Sequence, residues 1–247
     1  MAEASNRNAV VTGAAGGMGR AITKALVESG RRVVLADRDP ASLREFAAEM
    51  GDKTFPIELD ITDAKAVDRL PDLIPNTLKP IDILVNNAGH DIGGRTGFDA
   101  GAADDWSGII QMTNLIGLMR VTRSLLPDMV RRNAGHIVNV SSINAVRIVP
   151  DMAAYSASKA GVHMFTETLR GELAETAIRV TEMQPGLTRT NIILTRYRGD
   201  REKEKDYFDQ FKMALDPADI ARSIVFALDQ PPHVQIAEMM ILPVNRY

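Results

Sequence analysis

The stretch Asn8-Ala-Val-Val-Thr-Gly-Ala-Ala-Gly-Gly-Met-Gly19 decides how the fold is read. Residues 8–12 are short, apolar and β-branched, which predicts a buried strand. They run into Gly13, Gly16, Gly17 and Gly19, and an amphipathic run from Met18 to Ser29 then ends at Gly30. Such a strand, glycine-rich turn and helix let the backbone approach a pyrophosphate closely, while the helix N-terminus offers unpaired N–H groups and a partial positive charge. The spacing Gly13-x-x-x-Gly17-x-Gly19 differs from the G-x-G-x-x-G form and lacks the Gly-Lys-Ser/Thr ending of a nucleotide-hydrolysing loop. Taken alone, the turn also fits a purely structural role.

Outward from it, the pattern repeats. Arg32 to Ala36 predicts a second strand, ending at Asp37 about twenty residues beyond the turn. A carboxylate there can accept both ribose hydroxyls of an adenosine and repel a 2′-phosphate, which predicts NAD over NADP. Arg38 beside it opens the other option, a cation for that phosphate or a plane for adenine, and Asp37 also fits a turn before Pro40. A helical run (Pro40 to Met50) leads to a third strand (Thr54 to Leu59) and to Asp60-Ile61, where Asp60 suits either an adenine amino group or a helix N-cap. A further helix is expected to run to about Leu78. Ile81 to Val85 makes a fourth strand ending in Asn86-Asn87-Ala88-Gly89, two amides placed to hold backbone or ligand. After a polar loop from His90 to Asp105, a long helical pattern extends from Trp106 to about Arg132, with Asn114 inside it among apolar neighbours. Interior asparagine is unfavourable in a helix, so a specific bond is expected of it.

His136 to Val140 predicts a fifth strand that delivers Ser141 and Ser142 at its C-terminal edge. Tyr155 and Lys159 follow on a helix to about Ala174, four residues apart and therefore on one face. A phenol ionises at about pH 10, so it transfers protons poorly near neutrality unless a cation stabilises its phenolate, and lysine one turn away supplies such a cation. The same pair also occurs on many solvated helix faces. Arg179 to Met183 is the sixth strand, ending in Gln184-Pro-Gly-Leu-Thr-Arg-Thr190; a charged, aromatic stretch from Asn191 to Phe211 reads as a helical lid. Asp216-Pro-Ala-Asp219 starts another helix, and residues 235–242 make the last strand. Six βα alternations and a closing strand predict an α/β, Rossmann-like, doubly wound parallel sheet of about seven strands with helices on both faces. One domain is expected over 1–247, with 1–7 a tail and about 190–213 a substrate lid.

Composition excludes several classes. The absence of cysteine removes disulfides, thiolate catalysis and Cys-ligated metals. The four histidines (His90, His136, His163, His233) lack ligand-like spacing, so each reads as structural and no metal is expected. A net charge of -3 without a dense basic block implies no nucleic-acid partner. No apolar run approaches a membrane span and the first residues lack a signal core, so a cytoplasmic address is expected.

The ordered set of Thr12-Gly13-x-x-x-Gly17-x-Gly19, Asn86-Asn87-Ala88-Gly89, Asn114, Ser142 with Tyr155-x-x-x-Lys159, and Pro185-Gly186-x-x-x-Thr190 resembles the short-chain dehydrogenase/reductase family over residues 8 to 243. The resemblance implies Tyr155 as general acid/base, Ser142 as the group on the substrate oxygen, Lys159 as the residue that lowers the phenol's pKa and binds the nicotinamide ribose, and Asn114 as the anchor of a relay water. It implies a dinucleotide held by Gly13, Gly17, Met18, Gly19, Asp37, Asp60, Ile61, Asn87, Ala88, Gly89, Tyr155, Lys159, Pro185, Gly186, Thr188 and Thr190, and a homotetramer or homodimer. The last third is similar to the branch that oxidises serine, allo-threonine and small 3-hydroxy acids. Members of that branch favour NADP and carry arginine where this chain has Asp37. Arg196 or Arg198 suits a substrate carboxylate, and both equally suit a solvated flap. The expected reaction is hydride transfer between NAD(H) and a small polar alcohol/carbonyl substrate, a 3-hydroxy acid foremost. The alternatives are a polyol or sugar dehydrogenase, a small-aldehyde reductase, or a nucleotide-sensing protein without turnover.

Overall fold

The computed structural model describes residues 7–211 and 213–244, and at 109–111 the backbone alone. Residues 1–6 of the expected tail and residue 212 of the expected lid lie outside the described residues.

The strands β1 (Asn8–Thr12), β2 (Arg32–Asp37), β3 (Thr54–Glu58), β4 (Ile81–Asn86), β5 (Gly135–Val140), β6 (Ile178–Pro185) and β7 (Glu238–Ile241) form a parallel sheet in the order β3-β2-β1-β4-β5-β6-β7. Both faces are covered, which is why the inner strands read as unbroken apolar runs. Alternate residues serve opposite cores. Val10, Val34, Leu84, Ile137 and Val180 share one with α6 (Leu118–Arg132) and α7 (Ala153–Glu172). Val11, Leu35, Val85, Val138 and Met183 share the other with α1 (Gly17–Glu28), α2 (Pro40–Met50) and α10 (Pro217–Leu228). Each fully buried aliphatic side chain contributes about 1.5–3 kcal/mol, so this two-sided burial fixes strand register without help from the loops. The strand order reverses between β1 and β4, and a crevice opens at the carboxyl ends of those two strands.

Three expectations need correction. The helix drawn to about Leu78 is broken into α3 (Ala64–Asp68), α4 (Leu70–Leu73) and a single tight turn, Asn76–Leu78. Pro71 and Pro75 lack the N–H that a continuous helix requires. The lid is likewise two pieces, α8 (Ile192–Arg196) and α9 (Arg201–Gln210), separated by Arg198 and Gly199 at positive φ. The helix ending in α6 begins earlier than expected, with α5 (Ala103–Trp106), and continues through wider turns over Ser107–Gly117.

Candidate active site

At the strand-order reversal the loops after β1 and β4 are clasped together. Thr12 Oγ1 accepts the backbone N–H groups of Asn87 and Ala88, each at 3.1 Å. The Asn87 amide donates to the carbonyls of Thr12 (3.0 Å) and Gly13 (3.1 Å). Gly13 has φ +64°, and a Cβ there would stand 2.8 Å from Ala88 Cα; one on Gly19 would stand 2.0 Å from the Gly13 carbonyl oxygen. Only glycine fits either place. Asp37 joins the clasp, its Oδ2 accepting Ala15 N–H at 2.9 Å and its Oδ1 that of Asp39 at 3.1 Å. The turn before Pro40 is held by Asp39, which caps α2. Asp60 holds Thr62 through one oxygen, and the N-cap of α3 is Asp63.

An elongated cavity of about 450 Å³ runs along this crevice. Its walls include Asp37 and Asp60 at one end, Gly13, Gly17, Met18, Gly19 and the start of α1 at the middle, and Asn87, Ala88, Gly89, Lys159, Tyr155 and Thr190 at the other. The α1 N-cap is Gly16, which brings no side chain to the first N–H groups. Those donors therefore stand available to an anion at mid-cavity. Acidic hydroxyl acceptors at one end, anion donors in the centre and a proton-transfer pair at the far end fit a dinucleotide bound lengthwise. Pro185, Gly186 and Thr188 line an adjoining cavity of about 130 Å³, which shares Met18, Tyr155 and Thr190 with the first.

Tyr155 and Lys159 project together from α7. Lys159 Nζ donates to the Val140 carbonyl (3.1 Å) and lies 5.9 Å from the Tyr155 ring centroid. Burial drives the Lys159 pKa down to about 8, against the pull of the Glu182 and Asp91 carboxylates. The expectation that Lys159 makes the phenol acidic does not hold for the protein by itself. Burial and the nearby Asp91 charge push Tyr155 up to about 12, although part of the ring stays open to the cavity; Arg196 and the Ser142 hydroxyl act in the opposite sense. At neutral pH the phenol keeps its proton. Ser142 faces the smaller cavity, its Oγ accepting the Asn144 N–H at 3.2 Å, whereas the Ser141 hydroxyl turns to the buried Glu182. Asn114 is fully buried and reaches neither cavity wall. Its Oδ1 accepts His90 N–H (2.9 Å), and its Nδ2 donates to the His90 carbonyl (3.0 Å) and Ser158 Oγ (3.1 Å). The bond expected of an interior asparagine thus pins the loop after β4 to α7.

The two lid arginines part company. Arg196 is buried in the smaller cavity wall, with Nε donating to Asp91 Oδ2 at 2.6 Å and its guanidinium 5.5 Å from the Tyr207 ring centroid. The side chains of this ion pair are only 6% and 8% exposed, and Arg196 Nη1, also buried, has no partner among the described residues. Burial raises the Asp91 pKa in spite of the arginine. Arg198, by contrast, is largely exposed and donates from Nη2 to both oxygens of Asp105. The structure brings Arg196 to Ser142 and Tyr155, and leaves Arg198 outside both cavities. Three residues of the site, Asp91, Asn144 and Tyr207, are not among those the sequence points to. The signal for Asp91 was an acid placed two residues beyond the Asn87-Ala88-Gly89 strand end, inside a loop read only as polar.

Known proteins extend the picture. Residues 7–200 match the family model described as short chain dehydrogenase. An uncharacterized oxidoreductase of Staphylococcus saprophyticus is 36% identical over 248 residues, covering 99% of this chain and 100% of the relative. The closed form of a serine dehydrogenase complexed with NADP+ superposes with a TM-score of 0.93 at 34% identity, over 97% of this chain and 96% of that one. A 3-ketoacyl-(acyl-carrier-protein) reductase from Brucella melitensis complexed with NADH gives a TM-score of 0.84 at 28% identity, over 96% of each chain. With its sheet order, its crevice and these relatives, the chain belongs to the short-chain dehydrogenase/reductase family, as an oxidoreductase of alcohol/carbonyl pairs that uses NAD(P)(H).

Proposed function

We propose that the protein interconverts a small 3-hydroxy acid and its carbonyl form with NAD(H), and that Tyr155 is the general acid/base. The observation that carries the substrate class is Arg196, which lines the same small cavity as Ser142 and Tyr155 and whose buried Nη1 is unpaired among the described residues. A buried guanidinium N–H without an acceptor is costly, and a substrate carboxylate satisfies it through a charge-assisted bond. A simple aldehyde leaves it unpaired, and a polyol hydroxyl satisfies it only with a weaker bond to a neutral acceptor. The similar serine dehydrogenase, named for a substrate with both a carboxylate and a 3-hydroxyl, supports this reading. The preference for NAD rests on Asp37, whose charge at the adenosine end opposes a 2′-phosphate.

A nicotinamide bound at the Lys159 end of the crevice supplies or accepts the hydride. Ser142 holds the substrate oxygen by its hydroxyl. Tyr155 gives its proton to that oxygen during reduction and recovers it during oxidation. The protonated resting phenol is ready for the reductive direction, and oxidation requires it to ionise. Lys159 places an ammonium beside the ribose position and the phenol, where positive charge favours the phenolate once it forms. Asp91 orients Arg196, and Asp37 together with the α1 N-terminus aligns the adenosine and pyrophosphate. Exposed apolar side chains on α6 and α7 (Met119, Val130, Met164) support a dimer or tetramer through those helices, testable by sedimentation.

The function is tested by following nicotinamide absorbance with NAD or NADP and a panel of 3-hydroxy acids, polyols, sugars and simple alcohols. Turnover of carboxylated substrates well above the rest is expected. A panel in which polyols or simple alcohols outrun every hydroxy acid would remove the proposed substrate class.

A further inference from the structure

Tyr155 and Lys159 are two members of a longer stripe. Tyr155, Lys159, His163 and Glu167 recur every four residues along α7 and so share a face. Opposite that stripe, β6 presents Glu182, a carboxylate with no exposure at all. Glu182 Oε1 accepts the Ser141 hydroxyl, and Oε2 lies 2.7 Å from His163 Nδ1. Its register partners, Asn139 on β5 and Glu238 on β7, flank it across the sheet.

We propose that Glu182 is a positioning residue for Lys159, supplying the negative charge that keeps its ammonium protonated, and that His163 switches this charge on and off with pH. The inference rests on Tyr155 and Lys159 being the acid/base couple proposed above, and it assigns a role to two residues which that mechanism leaves idle.

The charge arrangement supports it. A buried ammonium is costly unless paired. Lys159 feels two carboxylates, Glu182 and Asp91, and Asp91 is already held by Arg196. That leaves Glu182, whose ion-pair partner among the described residues is His163. The other groups facing the pair are partnered in place: Glu167 on α7 by Arg170, and Glu238 on β7 by the Gln184 amide (3.2 Å). When His163 is protonated the pair carries no net charge. When it is neutral, Glu182 carries a full negative charge beside Lys159: Lys159 Nζ donates to the Val140 carbonyl and Glu182 holds the hydroxyl of the next residue, Ser141. The bond to Glu182, with the Glu238 and Glu167 charges, holds the His163 pKa above its ordinary value, which shifts the switch toward the range in which Lys159 titrates. The result is an ammonium that persists further into alkaline conditions than burial alone would permit.

The test is the titration of Lys159 in the whole protein, followed by NMR of 13C-labelled lysine and assigned with Lys159→Arg, with the pH profile of kcat measured alongside. Wild type should show a Lys159 midpoint near 8, preceded by a smaller step when His163 titrates. Glu182→Gln, which keeps shape and the Ser141 bond, should lower that midpoint by about one unit and move the alkaline limb of kcat with it. Glu182→Asp should restore most of the shift. His163→Gln should abolish the smaller step without lowering the midpoint, the opposite sense from Glu182→Gln. An unchanged midpoint in Glu182→Gln, or a smaller step that survives in His163→Gln, overturns the proposal; should Glu182→Gln not fold, the His163 arm decides alone. Tyr155→Phe distinguishes the two readings. If it retains full kcat the acid/base assignment fails, whereas loss of kcat together with an unmoved Lys159 midpoint in Glu182→Gln, or a smaller step that survives in His163→Gln, sinks only this inference.

Discussion

Replacing Arg196 separates recognition of a carboxylate from the chemistry at the hydroxyl. In the structure its Nε is committed to Asp91 at 2.6 Å, while Nη1 is buried and unpaired among the described residues. One charge-assisted hydrogen bond contributes about 1.5–3 kcal/mol, which corresponds to about 10- to 150-fold in kcat/KM. Arg196→Met should therefore cost a 3-hydroxy acid that factor, mostly through KM, while an alcohol of the same length without the carboxylate changes little. The substitution also strands Asp91 in a dry site, where its pKa, already raised by burial, rises further. The double variant Arg196→Met/Asp91→Leu removes that complication and should keep the same substrate discrimination. Arg198→Ala is the control: its side chain is exposed and paired with Asp105, so kcat/KM should stay within about twofold of wild type. Steady-state kinetics on the matched acid and alcohol decide the matter. Equal losses on both substrates would show that Arg196 supports the site's shape and does not read a carboxylate.

Three further outcomes are expected. Asp37→Ser should raise the ratio of kcat/KM for NADP to that for NAD by about tenfold or more, a change of at least about 1.4 kcal/mol, and should weaken NAD use because Ala15 N–H loses its acceptor; an unmoved ratio would remove Asp37 from the adenosine site. Gly19→Ala forces a methyl against the Gly13 carbonyl and should cost about 1–3 kcal/mol of stability in urea unfolding together with most dinucleotide affinity, so a variant that binds NADH like wild type would contradict the close-packed turn. His136 is wholly buried, and burial with the Arg179, Arg7 and Arg31 charges holds its pKa well below the usual value. The unfolded chain therefore binds a proton that the folded protein refuses, and stability should fall by up to about 1.4 kcal/mol per pH unit below about pH 6.5. In His136→Asn that component of acid sensitivity should vanish, and identical pH slopes for the two proteins would refute it.

What could be foreseen from residues alone divides along physical lines. Strands buried on both faces must be apolar throughout, so the sheet was legible in runs such as Val33-Val34-Leu35 and Ile83-Leu84-Val85. Gly13 and Gly19 sit where any Cβ collides, and residue type therefore reported geometry directly. Local rules failed where a property depends on distant neighbours. Arg196 and Arg198 look alike in sequence, but helix α8 ends between them and Arg198 turns to positive φ, so they point to different partners, Asp91 and Asp105. Asp91 lies in a loop without periodicity and acquires meaning only through an arginine 105 residues away. The surroundings of Tyr155 are hidden for the same reason. A lysine four residues along is visible in the sequence, whereas the nearby Asp91 carboxylate and the desolvation are not.

The most direct measurement is Tyr155→Phe, assayed for turnover and for NADH binding by fluorescence in the same preparation. Loss of the hydroxyl should lower kcat by about 10²- to 10⁴-fold, the range for a general acid/base, while the NADH dissociation constant stays within about threefold, a change of less than 1 kcal/mol. A variant that binds NADH and still turns over at the wild-type rate would contradict the claim that this phenol moves the proton.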